Sequence, residues 1–412
     1  MAAPLFDPAR HETLAGGEWD EGAVRAAIRR IGDDANDAFT DSGLWPIHPM
    51  DLSPERPPDC LKPIYHGAAG VIWALGRLRD LGFASPELDY LPTVATLVER
   101  YRADLRGNPA MASYVDGERG RDSVLIGEAG LKLLHWTLAP SPALEDELHA
   151  DLTAKIGDPR GLLWGGAGSM LAALAMLRRT GEARWREIYL RHAEGLWESW
   201  THDPDLDCHL WTQDLYGVVE KRLSALHGFA ANAIALLAGK DHLSEARRTE
   251  LFARVRRAAL NTGVRENGHA NWRLSADRAD PGEEVWRVQY CIGAPGMVMA
   301  LAALPADPET DALLLEAGEL IWAAGPPTKP PCLCHGTSGN GYALLKLHAW
   351  TDDPLWLFRA RRLAMHAVAQ ADHFALKTGQ RKYSLWTGDL GLAVFLADCI
   401  RGEAQFPTLD LL

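Results

Sequence analysis

The chain has 412 residues, 47% of them hydrophobic and 24% charged, enough to bury a large core as one repetitive domain or as two or three ordinary ones. Its formal charge of −13, from 42 basic and 55 acidic residues, argues against nucleic acid as the main partner, because that binding needs a basic face. No apolar run approaches the roughly 20 residues a bilayer span requires. The amino terminus shows no secretory signal and six cysteines are too sparse for a disulfide framework, so a cytoplasmic location is expected.

In chain order, an amphipathic helix is predicted at 22–31, and Gly67-Ala-Ala-Gly70 then opens the apolar run VIWALGRL. A charged-faced helix follows at 89–106, then Gly127-Glu-Ala-Gly130 before LKLLHWTLA. The alternation continues with a helix at 144–154, Gly165-Gly-Ala-Gly168 before SMLAALAML, and a helix at 185–200. Next come Gly228-Phe-Ala-Ala231 before NAIALLAG, a helix at 243–261, and Gly293-Ala-Pro-Gly296 before MVMALAAL. The series ends with a helix at 308–323, Gly336-Thr-Ser-Gly339 before NGYALLKL, a helix at 354–372, and Gly388-Asp-Leu-Gly391 before LAVFLADCI. Strand signals are few.

Seven runs that are apolar nearly all round read as buried helices, and the seven amphipathic segments between them as their cover. The arrangement expected is all-α: a closed double ring, an (α/α)7 barrel, with seven inner and seven outer helices. Closure lets every unit bury its apolar face without the capping units that an open helical solenoid, the alternative, would need. Residues 60–412 are expected to form this single domain, with 1–59 an N-terminal segment carrying the first outer helix.

If the repeats superpose, the two residues before each first glycine lie at equivalent places on one rim. They are Tyr65-His66, Leu125-Ile126, Leu163-Trp164, Leu226-His227, Cys291-Ile292, Cys334-His335 and Trp386-Thr387. Cys291 and Cys334 share a slot in adjacent repeats, and His335 follows directly. Two thiolates and an imidazole are a zinc set with one tetrahedral position left open, the pattern of catalytic rather than structural zinc. The plain alternative is that these cysteines are small buried hydrophobes. Cys332, in PCLCH, falls one slot too early and is assigned to the loop, though it would complete a closed site. His227 is a candidate for proton transfer, Arg287 for stabilising negative charge, and His66 for acid–base work or substrate contact. Asp389 and Glu128, inside the glycine motifs, are expected to cap helix starts rather than form a glycosidase pair.

The segments YHGAAG, IGEAG, WGGAG, LHGFAAN, YCIGAPG, LCHGTSGNGYALL and WTGDLGLAVFLAD together resemble the lanthionine synthetase C-like proteins over residues 60–400. The resemblance implies a double ring of seven inner and seven outer helices, zinc on Cys291, Cys334 and His335, His227 as proton donor or acceptor, and an active-site arginine at Arg287. It also implies chemistry: addition of a thiol, from a peptide cysteine or glutathione, to a dehydroalanine or dehydrobutyrine. The partners would be a dehydrated peptide or protein, a thiol, and a separate dehydratase. Ser123 stands where peptide cyclases usually carry aspartate, with Asp122 one step off, and Ile292 stands where Tyr or His is common. These departures point to a stand-alone thiol-adding relative. A non-catalytic zinc-containing thiol- or peptide-binding scaffold is the competing reading.

Overall fold

A computed structural model of the chain describes residues 5–51, 61–83, 88–108, 118–277 and 286–412. Cys60 and the expected boundary at 59/60 lie outside the described residues.

Fourteen long helices alternate among the described residues. The outer ones are α1 (Glu21–Asp37), α3 (Leu97–Gly107), α5 (Pro142–Thr153), α7 (Ala183–Glu198), α9 (Glu245–Thr262), α11 (Pro308–Ala324) and α13 (Pro354–Thr378). The inner ones are α2 (Ala68–Asp80), α4 (Glu128–Leu138), α6 (Gly166–Thr180), α8 (Phe229–Ala238), α10 (Ala294–Leu301), α12 (Thr337–Thr351) and α14 (Asp389–Arg401). The seven-plus-seven count is the one expected. In α10 every residue is buried, whereas α3 buries only Leu97 and Tyr101. The last inner helix packs against both α1 and α2, and this contact closes the ring.

The two layers start their helices differently. Five of the seven outer helices are capped by a side chain, Asp20, Ser141, Ser244, Asp307 and Asp353 each accepting a bond from a first-turn N–H, while α3 and α7 have no such cap. Each inner helix begins at a glycine with no side-chain cap. The first N–H of α10 goes to the side chain of Asn271, whereas in α2, α8 and α14 the first N–H groups bond to carbonyls of the loop that leads in, as when Ala68 N donates to Leu61 O (2.8 Å) and Ala69 N to Lys62 O (3.0 Å). That loop lies so close that a methyl on Gly67 would overlap the Leu61 carbonyl, and one on Gly339 the Leu333 carbonyl. Close approach, more than backbone freedom, explains the small-residue signature. Gly293 alone among the seven start positions also needs glycine for its φ of 103°.

Glu128 and Asp389 do not cap as expected. They occupy the first helical position, and their carboxylates bind arginines: Glu128 takes Arg102 and Arg121, Asp389 takes Arg381. The segment read as one helix at 89–106 is divided, with a short turn at Leu91–Val94 before α3. Three antiparallel hairpins were not anticipated: β1–β2 (Thr201–Asp203, Cys208–Leu210), β3–β4 (Gln213–Leu215, Val218–Glu220) and β5–β6 (Val264–Glu266, His269–Asn271). They turn at Asp207, Tyr216-Gly217 and Asn267-Gly268, which hold the positive φ such hairpin turns need.

Candidate metal centre

The loops that cap the inner helices also form the rim. Backbone bonds run from slot to slot: Cys291 N to Cys334 O (3.0 Å), Cys334 N to Trp386 O (2.9 Å), Trp386 N to Tyr65 O (3.0 Å) and Tyr65 N to Leu125 O (2.8 Å). Thus repeats five, six, seven, one and two are laced in ring order, as the equivalence of the slots requires. In repeats three and four the link is Leu162 N to Leu226 O (2.8 Å), one residue earlier on the repeat-three side.

The sixth loop is clamped onto α12. Ser338 Oγ donates to Pro331 O (2.6 Å), Gly339 N to Cys332 O (3.2 Å), and Asn340 Nδ2 reaches across to Val288 O of the fifth loop (2.9 Å). The fifth loop is held by Asn271, whose Oδ1 accepts from Ala294 N (2.8 Å) while its Nδ2 donates to Arg287 O (3.1 Å). With both loops held, Cys291 and Cys334 come together and their sulfurs share a hydrogen bond. The bond from Cys334 holds the Cys291 thiol down to about 7, and Cys334, as donor facing that sulfur, is pushed well up. Cys334 is buried, and Cys291 is partly open.

Each sulfur has a further donor. Tyr65 Oη bonds to Cys334 Sγ (2.9 Å), and Gln289 Nε2 to Cys291 Sγ (3.0 Å). The His335 imidazole hydrogen-bonds the thiol of Cys332, whose sulfur raises the histidine's pKa. Burial works to raise Cys332, yet His335 beside it prevails and holds that thiol below its ordinary value. Cys332 is therefore no bystander in a loop: it is buried and part of the cluster.

Four soft donors thus stand as two bonded pairs, Cys291–Cys334 and Cys332–His335. Among the described residues no three His, Cys, Asp or Glu side chains are gathered around one point as a formed metal cage. The donor chemistry nonetheless fits zinc, which favours thiolate and imidazole over carboxylate, and His335 is electrostatically coupled to Cys291 as well as to Cys332.

The other expected residues are more scattered. His227 lies between Trp164 (ring centroids 4.7 Å apart) and Tyr216 (5.9 Å, edge-on), on the repeat-three side of the rim. Among the described residues no hydrogen bond or ring contact joins it to the cysteines. The residue is partly exposed, but burial of its ring and then the Arg222 guanidinium lower its pKa to about 3. His66 sits edge-on to Tyr65 (5.8 Å), one side chain away from Cys334, in a narrow cleft shared with Asp51 and Lys382. Arg287 is half-buried, and what the structure ties down is its carbonyl, through Asn271. Asp122, the residue beside Ser123, lines an open cleft of ≈ 580 Å³ with Lys155, Asp158, Arg160 and Asp214, and burial raises its pKa. Gly161, next in sequence to Arg160 of this cleft, lies so close to the fourth loop that a methyl on it would overlap the Leu226 carbonyl and crowd the His227 backbone.

Tyr65, Gln289, Tyr216 and Trp164 carry no role in the sequence reading. Tyr65 was legible as a neighbour, since it shares the slot of Cys334. Gln289 and Tyr216 were not, because a side chain bonded to sulfur and a hairpin folded over a histidine leave no periodic trace.

The description of the family model that matches residues 209–411 is "Lanthionine synthetase C-like protein". The chain is 34% identical over 128 residues to glutathione S-transferase LANCL1 of Danio rerio, covering 30% of this chain and 31% of that protein. It is 30% identical over 132 residues to LanC-like protein GCL1 of Arabidopsis thaliana, covering 30% of each. These alignments span about a third of the length of the curated relatives. In fold, the chain is similar to nisin cyclase, with a TM-score of 0.60 and 12% identity over 94% of this chain and 97% of that one. The double helical ring, the laced rim and the matched motifs agree: over residues 209–411 the chain matches the lanthionine synthetase C-like family, and over nearly its whole length it has the fold of nisin cyclase.

Proposed function

We propose that the chain adds a thiol to the β-carbon of a dehydroalanine or dehydrobutyrine residue, forming a thioether, at a zinc ion held by Cys291, Cys334 and His335. The observation that carries this reading is the contact between two sulfurs brought from separate repeats to one rim, with His335 coupled to both pairs of donors. The names of the relatives supply the two substrate classes: a glutathione transferase points to a free thiol and a nisin cyclase to a peptide. A separate dehydratase would supply the alkene.

Zinc, when bound, supplies a charge that lowers the pKa of the incoming thiol below its free value of about 8.5. The thiol loses its proton and its sulfur forms a bond to the β-carbon. The π pair moves onto the α-carbon and its carbonyl, and the α-carbon then takes a proton. His227, neutral in its enclosed setting, would relay the thiol proton through its two ring nitrogens, one accepting as the other donates, without resting as imidazolium. Arg287, at the start of the fifth loop, would offset charge on the enolate oxygen. The ≈ 580 Å³ cleft lined by Asp122, Lys155, Asp158 and Arg160, with charges of both signs, offers room for the polar part of a peptide or thiol.

The placement of His227 against Trp164 rather than the cysteines favours one second reading, a zinc-containing scaffold that binds thiol or peptide without turnover. The experiment is metal analysis of wild type, Cys334→Ala and His227→Ala, followed by incubation with a dehydroalanine peptide and several thiols. Catalysis predicts near-stoichiometric zinc in wild type and His227→Ala, none in Cys334→Ala, and a 10²- to 10⁴-fold loss of turnover in His227→Ala. Wild-type protein that binds zinc and peptide but forms no thioether is the scaffold.

A further inference from the structure

A centre that presents sulfurs to an electrophilic alkene faces a selectivity problem. The resident cysteines are themselves thiolates when they hold a metal, and a thiolate is the nucleophilic form of sulfur, so either could add to dehydroalanine in place of the incoming thiol. In that side reaction the cysteine Sγ bonds to the β-carbon, the π pair shifts to the α-carbon, and solvent supplies the proton. The enzyme would be left joined to its substrate by a thioether.

The rim holds a device against this. Tyr65 Oη donates to Cys334 Sγ at 2.9 Å and Gln289 Nε2 to Cys291 Sγ at 3.0 Å, so each resident sulfur receives its own donor. Both donors are set by the ring itself. Tyr65 gives its N–H to Leu125 O and accepts from Trp386 N, and its ring stacks on Trp386 (centroids 5.6 Å, interplanar angle 28°). Gln289 is locked by paired backbone bonds with Ile292, each N–H to the other's carbonyl at 3.1 Å. Both side chains are buried, at 8% and 7% exposure, which holds the two donors on the sulfurs rather than in solvent. A hydrogen bond to a thiolate draws off charge and lowers its basicity, and nucleophilicity falls with basicity.

We infer that Tyr65 and Gln289 are positioning residues that quiet Cys334 and Cys291, so that the sulfur reacting at this centre is the incoming one. The inference rests on the metal-centred reading above. It is separable from it, because the donors act on the resident sulfurs and not on the substrate.

The test uses the full chain loaded with zinc, whose content is measured in every sample, and N-acetyldehydroalanine amide as electrophile with no thiol added. Mass spectrometry of the digested protein reads the adduct at each cysteine. Tyr65→Phe keeps the ring and removes one donor; Gln289→Leu keeps the bulk and removes the other. Losing a donor leaves more charge on that sulfur, and a rise of up to about tenfold in its rate of modification is the change the experiment reads. The expected result is faster modification of Cys334 in Tyr65→Phe and of Cys291 in Gln289→Leu, each without change at the other cysteine. Cobalt in place of zinc gives a second reading, a shift of the sulfur-to-metal charge-transfer band to lower energy in both variants. General loosening of the fold would quicken both cysteines together, and that result, or unchanged rates, overturns the inference. Wild-type protein that holds no metal overturns the metal-centred reading itself.

Discussion

His227 provides a quantitative handle on the mechanism. Its surroundings, chiefly burial between Trp164 and Tyr216 and then the Arg222 guanidinium, set its pKa at about 3. At pH 7 roughly one imidazole in 10⁴ is then protonated, which would cost a step needing imidazolium about four powers of ten in rate. The ring must therefore work from its neutral form. Between pH 5 and 8 no limb of the log rate profile should belong to His227, and its imidazole carbon resonances should stay at their neutral positions. Tyr216→Ala is the informative perturbation. Tyr216 is 65% exposed at a hairpin tip, so its loss should leave the fold intact while admitting water to the edge of His227. Relief of the larger cause should move the pKa upward toward 6.5 and bring a new inflection into the NMR titration. Removing Arg222, the smaller cause, should move it less. A wild-type resonance that titrates near 6.5, or one indifferent to Tyr216→Ala, refutes this account of the site.

Two further outcomes follow from the same cluster and its support. Cys332→Ala should keep near-stoichiometric zinc with a modest loss of affinity, by removing the bond that orients His335, whereas Cys334→Ala should abolish binding. Equal losses in inductively coupled plasma measurements would make Cys332 a ligand and close the centre. His192, buried under the start of α6 with Nε2 on Leu152 O (2.8 Å), has its pKa lowered to about 4 by burial. Its unfolded form takes up a proton near pH 6.5 and the folded form does not, so its stabilising share is complete above pH 6.5 and fades as pH falls toward 4. The difference amounts to about 3 kcal/mol. Urea unfolding at pH 7 and pH 4 should show a smaller acid penalty for His192→Gln, and an identical penalty would remove His192 from the explanation.

The ring was legible because its grammar is local. Glycine-spaced motifs mark where the chain passes over a helix start too closely for a side chain, and apolar content separates inner from outer helices. The pairing of Cys291 with Cys334 followed from equal slot positions in adjacent repeats, which the rim bonds reproduce. The same reasoning put Cys332 in the loop, where it lies, but missed that its thiol turns back to His335. It also overlooked the turns at Tyr216-Gly217 and Asn267-Gly268, although the Asn-Gly pair is a strong hairpin signal.

What the amino-acid order determined by itself was periodic: the number of helices, which of them are buried, and which residues share a rim. What only the tertiary structure decided was directional. That Tyr65 and Gln289 point at sulfur, that His335 leans on Cys332, and that a hairpin folds Tyr216 over His227 depend on rotamers and on contacts between distant repeats. Spacing along a chain places a backbone, whereas the aim of a side chain is set by whatever packs around it.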